Sequence, residues 1–146
     1  MKIVIDADGC PVIPVAIEVA GRHGLEVLLV ADTAHSFAKY KVPTKIVEKG
    51  SDSADFAIAN LIAPGDLVVT QDYGLAALIL SRKGLAIHQS GMLFTEENID
   101  GLLLSRHMAQ KVRRAGGRLR GPAKRKKEED VAFERALEEL IKKQAL

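Results

Sequence analysis

The sequence has few of the residues on which several classes of protein depend. Among its 146 residues it has one cysteine, Cys10, and no tryptophan, and only 4% of its residues are aromatic. A single cysteine cannot form an internal disulfide and offers no partner for a zinc site built from paired cysteines. No histidine lies close to Cys10 in the sequence, which disfavours a cysteine nucleophile. We therefore interpret Cys10 as a small core residue or a bystander of a neighbouring site.

Long apolar runs are also missing. No apolar stretch approaches the roughly 20 residues needed to cross a bilayer, so we expect no membrane partner. Met1 is followed directly by a strand pattern, without the basic start, apolar run and small-residue cleavage site of a secretory signal, and we expect a cytoplasmic protein. With 47% hydrophobic residues, the chain is expected to form one domain, residues 1–146, around a single core.

Basic residues without acidic neighbours are concentrated in residues 111–127, which we call the basic segment. It holds nine Lys or Arg and no acid, so the rest of the chain has 12 basic residues against all 19 acidic ones, a balance of −7. Such a segment commonly binds polyanions, although a solvated tail has the same composition. It lacks interleaved aromatic residues, so base stacking is not expected there. The phosphate contacts of a bound nucleic acid are expected from Arg113, Arg114, Arg118, Arg120, Lys124, Arg125, Lys126 and Lys127.

Buried strand patterns alternate with helical patterns along the chain. Ile3, Val4 and Ile5 form an apolar run without alternation, which is typical of a strand covered on both faces. Similar runs recur at residues 25–31, 44–48, 67–70 and 85–88. Helical spacing of apolar residues separates most of these runs. This order predicts a three-layer α/β/α fold with a mainly parallel five-stranded sheet in the common doubly wound order 3-2-1-4-5.

Two further helices are predicted after the sheet. The first begins at the N-cap Thr95, with Asn98 in its third position, and runs to about residue 115. Its apolar stripe comprises Ile99, Leu102, Leu103 and Met108. A loop follows at residues 116–127, and an amphipathic closing helix is predicted at residues 130–146. The residues that it turns toward the body are Val131, Phe133, Leu137, Leu140 and Ile141.

Aspartates follow two buried strands that the predicted strand order makes neighbours. Asp6 and Asp8 come after the first strand, and Asp72 comes after the fourth. In open α/β sheets, ligands bind at the carboxyl ends of the strands, where the strand order reverses. Asp52 and Asp55 lie three residues apart at the start of a helix and therefore point the same way. These five carboxylates are the candidates for a site.

Some of these carboxylates also have a purely structural interpretation. Asp8 fits an Asx turn, Asp52 fits an N-cap, and Asp72 fits the N-cap of a helix that starts at Tyr73. Carboxylates gathered at one sheet edge nevertheless repel and raise each other's pKa, and their coexistence is best explained by a hard divalent cation. Carboxylate and water oxygens suit Mg²⁺ or Mn²⁺, and no His or Cys cluster indicates zinc.

Five segments together resemble one family over nearly the whole chain. DADGCPV, GSDSADFAIAN, GDLVVTQDYGLAALIL, TEENIDGLL and RRAGGRLRGP, in this order, resemble the YaiI/YqxD family of bacterial proteins. That family is similar in fold to PIN-like nucleases, which use aspartates and Mg²⁺ or Mn²⁺ to cut RNA or DNA. Membership itself assigns no activity.

The resemblance also implies roles for the aspartates. Asp6 and Asp8 match the aspartate after the first strand, Asp55 with Asp52 matches the acids of the central helix, and Asp72 matches the aspartate after the fourth strand. No clear further acid follows in residues 73–82, which departs from the pattern of a two-metal site.

Two other interpretations stay open. IDADG resembles the DxDG motif of phosphatases of the haloacid dehalogenase type, in which the first aspartate, here Asp6, is phosphorylated and the second, here Asp8, is the acid. LVVT and GSDSAD resemble later motifs of that family, but they come in the wrong order and no separate lysine motif is found. The other alternative is a nucleic-acid-binding module without catalysis that uses the basic segment.

The favoured hypothesis is a metal-dependent, nuclease-like protein that hydrolyses phosphodiester bonds in RNA. In this hypothesis Asp6 and Asp72 bind the cation directly, and Asp55 holds it directly or through water. Asp8 either orients the site or binds the cation itself.

Overall fold

The fold is built on one sheet of six strands. The computed structural model describes residues 1–32, 36–48, 53–117 and 124–145. The strands are β1 (Lys2–Asp6), β2 (Glu26–Asp32), β3 (Thr44–Val47), β4 (Leu67–Val69), β5 (Leu85–Ile87) and β6 (Leu93–Phe94). The sheet order is β3-β2-β1-β4-β5-β6, with β1 to β5 parallel and β6 antiparallel to β5. The predicted order 3-2-1-4-5 is confirmed. The expected count of five strands is corrected to six, because the two residues of β6 are too few to form a recognisable strand pattern.

Helices cover both faces of the sheet. They are α1 (Ile13–Arg22), α2 (Ser53–Leu61), α3 (Tyr73–Ser81), α4 (Glu96–Arg114) and α5 (Lys127–Gln144), with a short 3-10 helix at Ala38–Tyr40. The fully buried Ile3 and Ile5 pack against α1 and α5, whereas Val4 packs with residues of α2, α3 and α4. Successive strand residues point to opposite faces, so this distribution confirms the three-layer α/β/α arrangement. Within the described residues, no helix combines the length and apolar character of a membrane span.

Ion pairs fasten α5 to α1. Arg22, the last residue of α1, lies 2.7 Å from Glu134 and 3.0 Å from Glu138 of α5. It also lies 2.9 Å from Glu18, one turn earlier in its own helix. Phe133, next to Glu134, is fully buried against the sheet. The closing helix is therefore part of the core, with an ionic contact at its edge.

The two C-terminal helices differ in detail from the expectation. α5 begins at Lys127, three residues before the predicted start, because three acidic residues in its first turn favour a helix N-terminus without contributing an apolar stripe. Val131 does not face the body but is 46% exposed, since it lies about half a turn around the helix from Phe133. Met108 is 51% exposed, so the buried stripe of α4 ends before it. The cap of α4 is as predicted: Thr95 and Asn98 form a capping box.

The strand order reverses between β1 and β4. α1, which follows β1, and α3, which follows β4, lie on opposite faces of the sheet. Ile5 pairs with Val69 in this part of the sheet, so the next residues, Asp6 and Thr70, lie side by side at the carboxyl edge. The fold thus leaves a crevice beside these two residues.

Candidate functional site

A cleft of about 610 Å³ lies at the carboxyl ends of β1 and β4. It is lined by two carboxylates, two guanidinium groups and two further polar side chains, from Asp6, Asp72, Arg106, Arg113, Gln71 and Tyr73. Asp6 ends β1 and Asp72 follows β4, whereas both arginines belong to α4. The cleft therefore has an acidic side on the sheet and a basic side on a helix.

Asp6 is the most perturbed acid of the cleft. Its pKa is raised from 3.8 to about 6, mainly because burial removes water from the carboxylate. A hydrogen bond from Thr70 opposes this effect, and the negative charges of Asp72 and Asp8 add to it. The folded chain therefore holds a carboxylate whose charge is poorly compensated, as is typical of functional sites.

Asp66 shows how this chain treats a buried structural acid. Although burial favours its neutral form, backbone hydrogen bonds from Ala63 and Lys2 and the ammonium group of Lys2 outweigh that effect and lower its pKa. The Lys2 ammonium lies 3.4 Å from the Asp66 carboxylate. Asp66 is thus satisfied by its neighbours, whereas Asp6 is not. This difference separates a structural carboxylate from a candidate ligand.

Thr70 connects the two acids of the cleft, and sequence reasoning missed this role. Its side chain is almost fully buried, and its hydroxyl donates to Asp6 Oδ2 over 2.9 Å. The hydroxyl oxygen of Thr70 also accepts the backbone N–H of Asp72 over 3.0 Å. The signal in the sequence was a hydroxyl residue that directly follows the apolar run LVV, two residues before the candidate Asp72. Thr70 therefore fixes the position of Asp6 relative to the turn that carries Asp72.

Thr70→Val is expected to destabilise the protein by about 1 to 2 kcal/mol, because it removes a donor to Asp6 and the acceptor of a backbone N–H. It should also move the pKa of Asp6 further above about 6, since the hydrogen bond from Thr70 lowers that pKa. Urea denaturation in EDTA and NMR titration of the Asp6 carboxyl group measure the two effects.

Thr70→Ser is the matched control, since it keeps the hydroxyl group. It should retain both the Asp6 pKa and most of the stability. Equal pKa values in the Val and Ser variants would show that the hydroxyl group does not control Asp6.

Asp72 combines a structural and a chemical position. It is the N-cap of α3, as one interpretation predicted, and its Oδ1 accepts the backbone N–H of Leu75 over 3.1 Å. The same Oδ1 lies 3.3 Å from Nη1 of Arg106. The capping role therefore uses one carboxylate oxygen and is compatible with a ligand on Oδ2.

The structure separates the remaining predicted acids. Asp8 lies close enough to Asp6 to raise its pKa, and its Oδ2 accepts the backbone N–H of Asp32 at the end of β2. Asp55 lies in the first turn of α2 and is not among the residues that line the cleft. Asp52 lies outside the described residues. The structure thus brings Asp6 and Asp72 into one cleft, and Asp8 lies near Asp6 but not among the residues that line it.

The donor set suits a cation held by few protein groups. Among the described residues, no group of three or more His, Cys, Asp or Glu side chains is placed to hold a metal ion. Mg²⁺ commonly uses only one or two carboxylates and completes its coordination with water and substrate phosphates. Asp6 and Asp72 meet this smaller requirement, and the uncompensated charge of Asp6 fits it as well.

The described residues of the basic segment lie in different surroundings. Arg113 lines the cleft, and Arg114, Lys124, Lys126 and Lys127 are exposed. Arg118 and Arg120 lie outside the described residues.

Arg125 differs from the rest of the basic segment. It lies 2.8 Å from Asp130 and 3.4 Å from Glu129, and it donates to the backbone carbonyl of Gln89 over 2.9 Å. Its side chain is only 21% exposed. Arg125 therefore joins the start of α5 to the loop after β5 and is less exposed to solvent than its neighbours.

Cys10 packs against the core on the α1 side of the sheet. Burial raises the pKa of its thiol to about 11, so the thiol is neutral at physiological pH. This environment supports the interpretation as a small core residue beside the site rather than as a nucleophile.

The fold and the cleft define a class: an α/β protein with a doubly wound, mainly parallel sheet and an acidic pair where the strand order reverses. The family model described as "Uncharacterized BCR, YaiI/YqxD family" matches residues 4–143. The chain belongs to this family, as its sequence motifs indicated.

Relatives and a solved structure extend the comparison. The UPF0178 protein of Exiguobacterium sibiricum is 56% identical over 141 residues, which cover 97% of this chain and 96% of that protein. The UPF0178 protein of Clostridium acetobutylicum is 46% identical over 143 residues, which cover 97% of each chain. A crystal structure of a mutant of Rae1 (YacP) from Bacillus subtilis is 17% identical, covers 94% of this chain and 91% of its own, and gives a TM-score of 0.46. A likeness of that size supports no conclusion about function.

Proposed function

We propose that this protein is a nuclease-like hydrolase that uses Mg²⁺ or Mn²⁺ to cut phosphodiester bonds in RNA. The observation that carries the proposal is the pair Asp6 and Asp72 at the strand-order reversal, in one cleft with Arg106 and Arg113. Two carboxylates suit a divalent cation, and two guanidinium groups suit the phosphates of a substrate. The cation would supply Lewis-acid polarisation of a phosphoryl oxygen and a lower pKa for the attacking water.

The residues of the chain prepare this chemistry. Asp6 must lose its proton to act as a ligand, so its pKa of about 6 makes cation binding weaker in acid. Thr70 holds the Asp6 carboxylate in place, and the cap contact with Leu75 holds Asp72. Asp8 acts as an orienting residue, because it ties the turn after β1 to the end of β2.

The family resemblance places Asp55, with Asp52, among the acids of the central helix that hold the cation. Asp55 lies in the first turn of α2, outside the lining of the cleft, so we assign it a contact through water. Asp55→Asn should accordingly reduce cation affinity less than Asp6→Asn does.

The exposed lysines of the basic segment add attraction for a polyanion. Lys124, Lys126 and Lys127 are exposed just before and at the start of α5. Contacts of this kind are made with phosphates, carry little sequence preference and weaken steeply with salt. We assign to them the capture of RNA rather than its positioning for cleavage.

Labelled RNA and DNA incubated with the wild-type protein, with Mn²⁺ or with EDTA, test the proposal. We expect RNA fragments with Mn²⁺ and intact RNA with EDTA. A phosphomonoester substrate is assayed in parallel, because its hydrolysis with a trapped phosphate on Asp6 would indicate the phosphatase instead. RNA binding without cleavage under any cation would make the chain a binding module.

A further inference from the structure

Arg106 and Arg113 form a basic stripe on α4 that faces the acidic pair. Both line the cleft that contains Asp6 and Asp72. They lie seven residues apart in one helix, with Gln110 four residues after the first and three before the second, so the three side chains share one face. Sequence patterns gave no reason to select Arg106, which precedes the basic segment.

The contact of Arg106 with Asp72 is weak enough to exchange. Nη1 lies 3.3 Å from the carboxylate oxygen, and the side chains of the pair are 49% and 33% exposed. Exposed ion pairs of this kind contribute little free energy. Arg125, by contrast, is 21% exposed and has three partners at the start of α5 and in the loop after β5. Of the two, Arg106 is the guanidinium group that a substrate phosphate can recruit.

The spacing of the two arginines favours a polymer. Seven residues of an α-helix rise about 10 Å, which equals the rise of about three stacked nucleotides. A polynucleotide can present one phosphate to each arginine at this spacing, whereas a phosphomonoester offers the two arginines a single phosphate. Tyr73 lines the same cleft, where its ring packs against the rings of Phe94 and His88. An aromatic side chain held at a cleft in this way is a type of group on which unpaired bases stack.

We propose that Arg106 and Arg113 bind separate phosphates of one single-stranded nucleic acid across the cleft, and that Arg106 leaves Asp72 to do so. Asp72 is thereby released toward the cation as the substrate arrives. The two arginines select a polynucleotide over a phosphomonoester. This assignment of substrate rests on the proposed function.

Anisotropy of a labelled 12-nucleotide single-stranded RNA, titrated in EDTA at several salt concentrations, tests the phosphate contacts without cleavage. Arg106→Gln and Arg113→Gln should each flatten the slope of log affinity against log salt by roughly 0.7, and each should weaken binding about fivefold at 0.1 M salt. Arg135→Gln changes the same charge at an exposed position of α5 and should leave the slope unchanged. An unchanged slope in both cleft variants would overturn the inference.

Mn²⁺ titration tests the exchange at Asp72. Arg106→Gln removes a competing positive charge and should tighten Mn²⁺ binding roughly two- to fivefold. Arg113→Gln, for which no contact with Asp72 is found within the described residues, should leave it unchanged. Equal Mn²⁺ affinity in wild type and Arg106→Gln would overturn the exchange.

The RNA titration also tests the preference for a single strand. If binding of an RNA duplex lost the same slope in the two cleft variants, that preference would be overturned. Wild-type protein that binds RNA but never cuts it would refute the proposed function, while the slopes would still decide the phosphate contacts.

Discussion

Asp6→Asn is expected to stabilise the cation-free protein by about 3 kcal/mol at pH 8. The pKa of Asp6 is about 6 in the folded protein, against an ordinary value of 3.8, and this difference corresponds to that free energy. The folded state binds more protons than the unfolded state between these pH values, so wild-type stability falls as the pH rises from about 4 to about 6. Asparagine carries no charge, and its side-chain oxygen still accepts the hydrogen bond from Thr70. Urea denaturation in EDTA at pH 4 and pH 8 measures the difference.

The gain in stability should occur only at high pH and only for a substitution at Asp6. At pH 4 the variant and the wild type should differ little, because Asp6 is then protonated in the folded protein. Asp100→Asn makes the same charge change at an exposed position of α4 and should show no comparable gain. If Asp6→Asn were no more stable than the wild type at pH 8, the carboxylate would not be strained by burial and by its neighbours.

Asp72→Asn is expected to reduce Mn²⁺-dependent cleavage of RNA on the order of 100-fold or more while the protein stays folded. The substitution removes a ligand charge, and a loss of even an outer partner of a metal site commonly costs 10- to 100-fold. Asparagine is as good an N-cap as aspartate, so the contact with Leu75 that starts α3 is retained. Single-turnover cleavage at saturating RNA, with circular dichroism of the same samples, measures the effect.

The same Asp100→Asn variant controls for the loss of one negative charge. It should cut RNA at the wild-type rate, since Asp100 is exposed and does not line the cleft. Wild-type activity in Asp72→Asn would remove Asp72 from the reaction and leave it as a helix cap alone.

The sequence was most informative where burial is continuous. Runs such as Ile3 to Ile5 are buried on both faces. Because helical patterns lie between most of these runs, they predicted the class of fold and the order of the first five strands correctly. Because Asp6 and Asp72 each come at the end of a predicted strand, and the predicted order makes these strands neighbours, the sequence also predicted that the two aspartates lie close together. The short β6 was not predicted, because its two residues form a strand only by pairing with β5.

Other parts of the site depend on contacts that no local pattern encodes. Arg106 reaches Asp72 only because α4 packs against α3, and Thr70 matters because its hydroxyl group lies between two acids. Arg125 is a further example: its charge predicts a phosphate contact, and only the structure shows that it forms ion pairs with Glu129 and Asp130 of α5. A sequence reveals which long side chains are charged, and the tertiary structure decides what they reach.

Calorimetric titration with Mn²⁺ tests the carboxylate pair most directly. The wild-type protein should bind Mn²⁺ at neutral pH, and Asp6→Asn and Asp72→Asn should each weaken that binding on the order of 100-fold, because each removes a charged ligand. Asp100→Asn should bind as the wild type does. Wild-type affinity in both Asp6→Asn and Asp72→Asn would contradict the proposal that these two carboxylates hold a divalent cation.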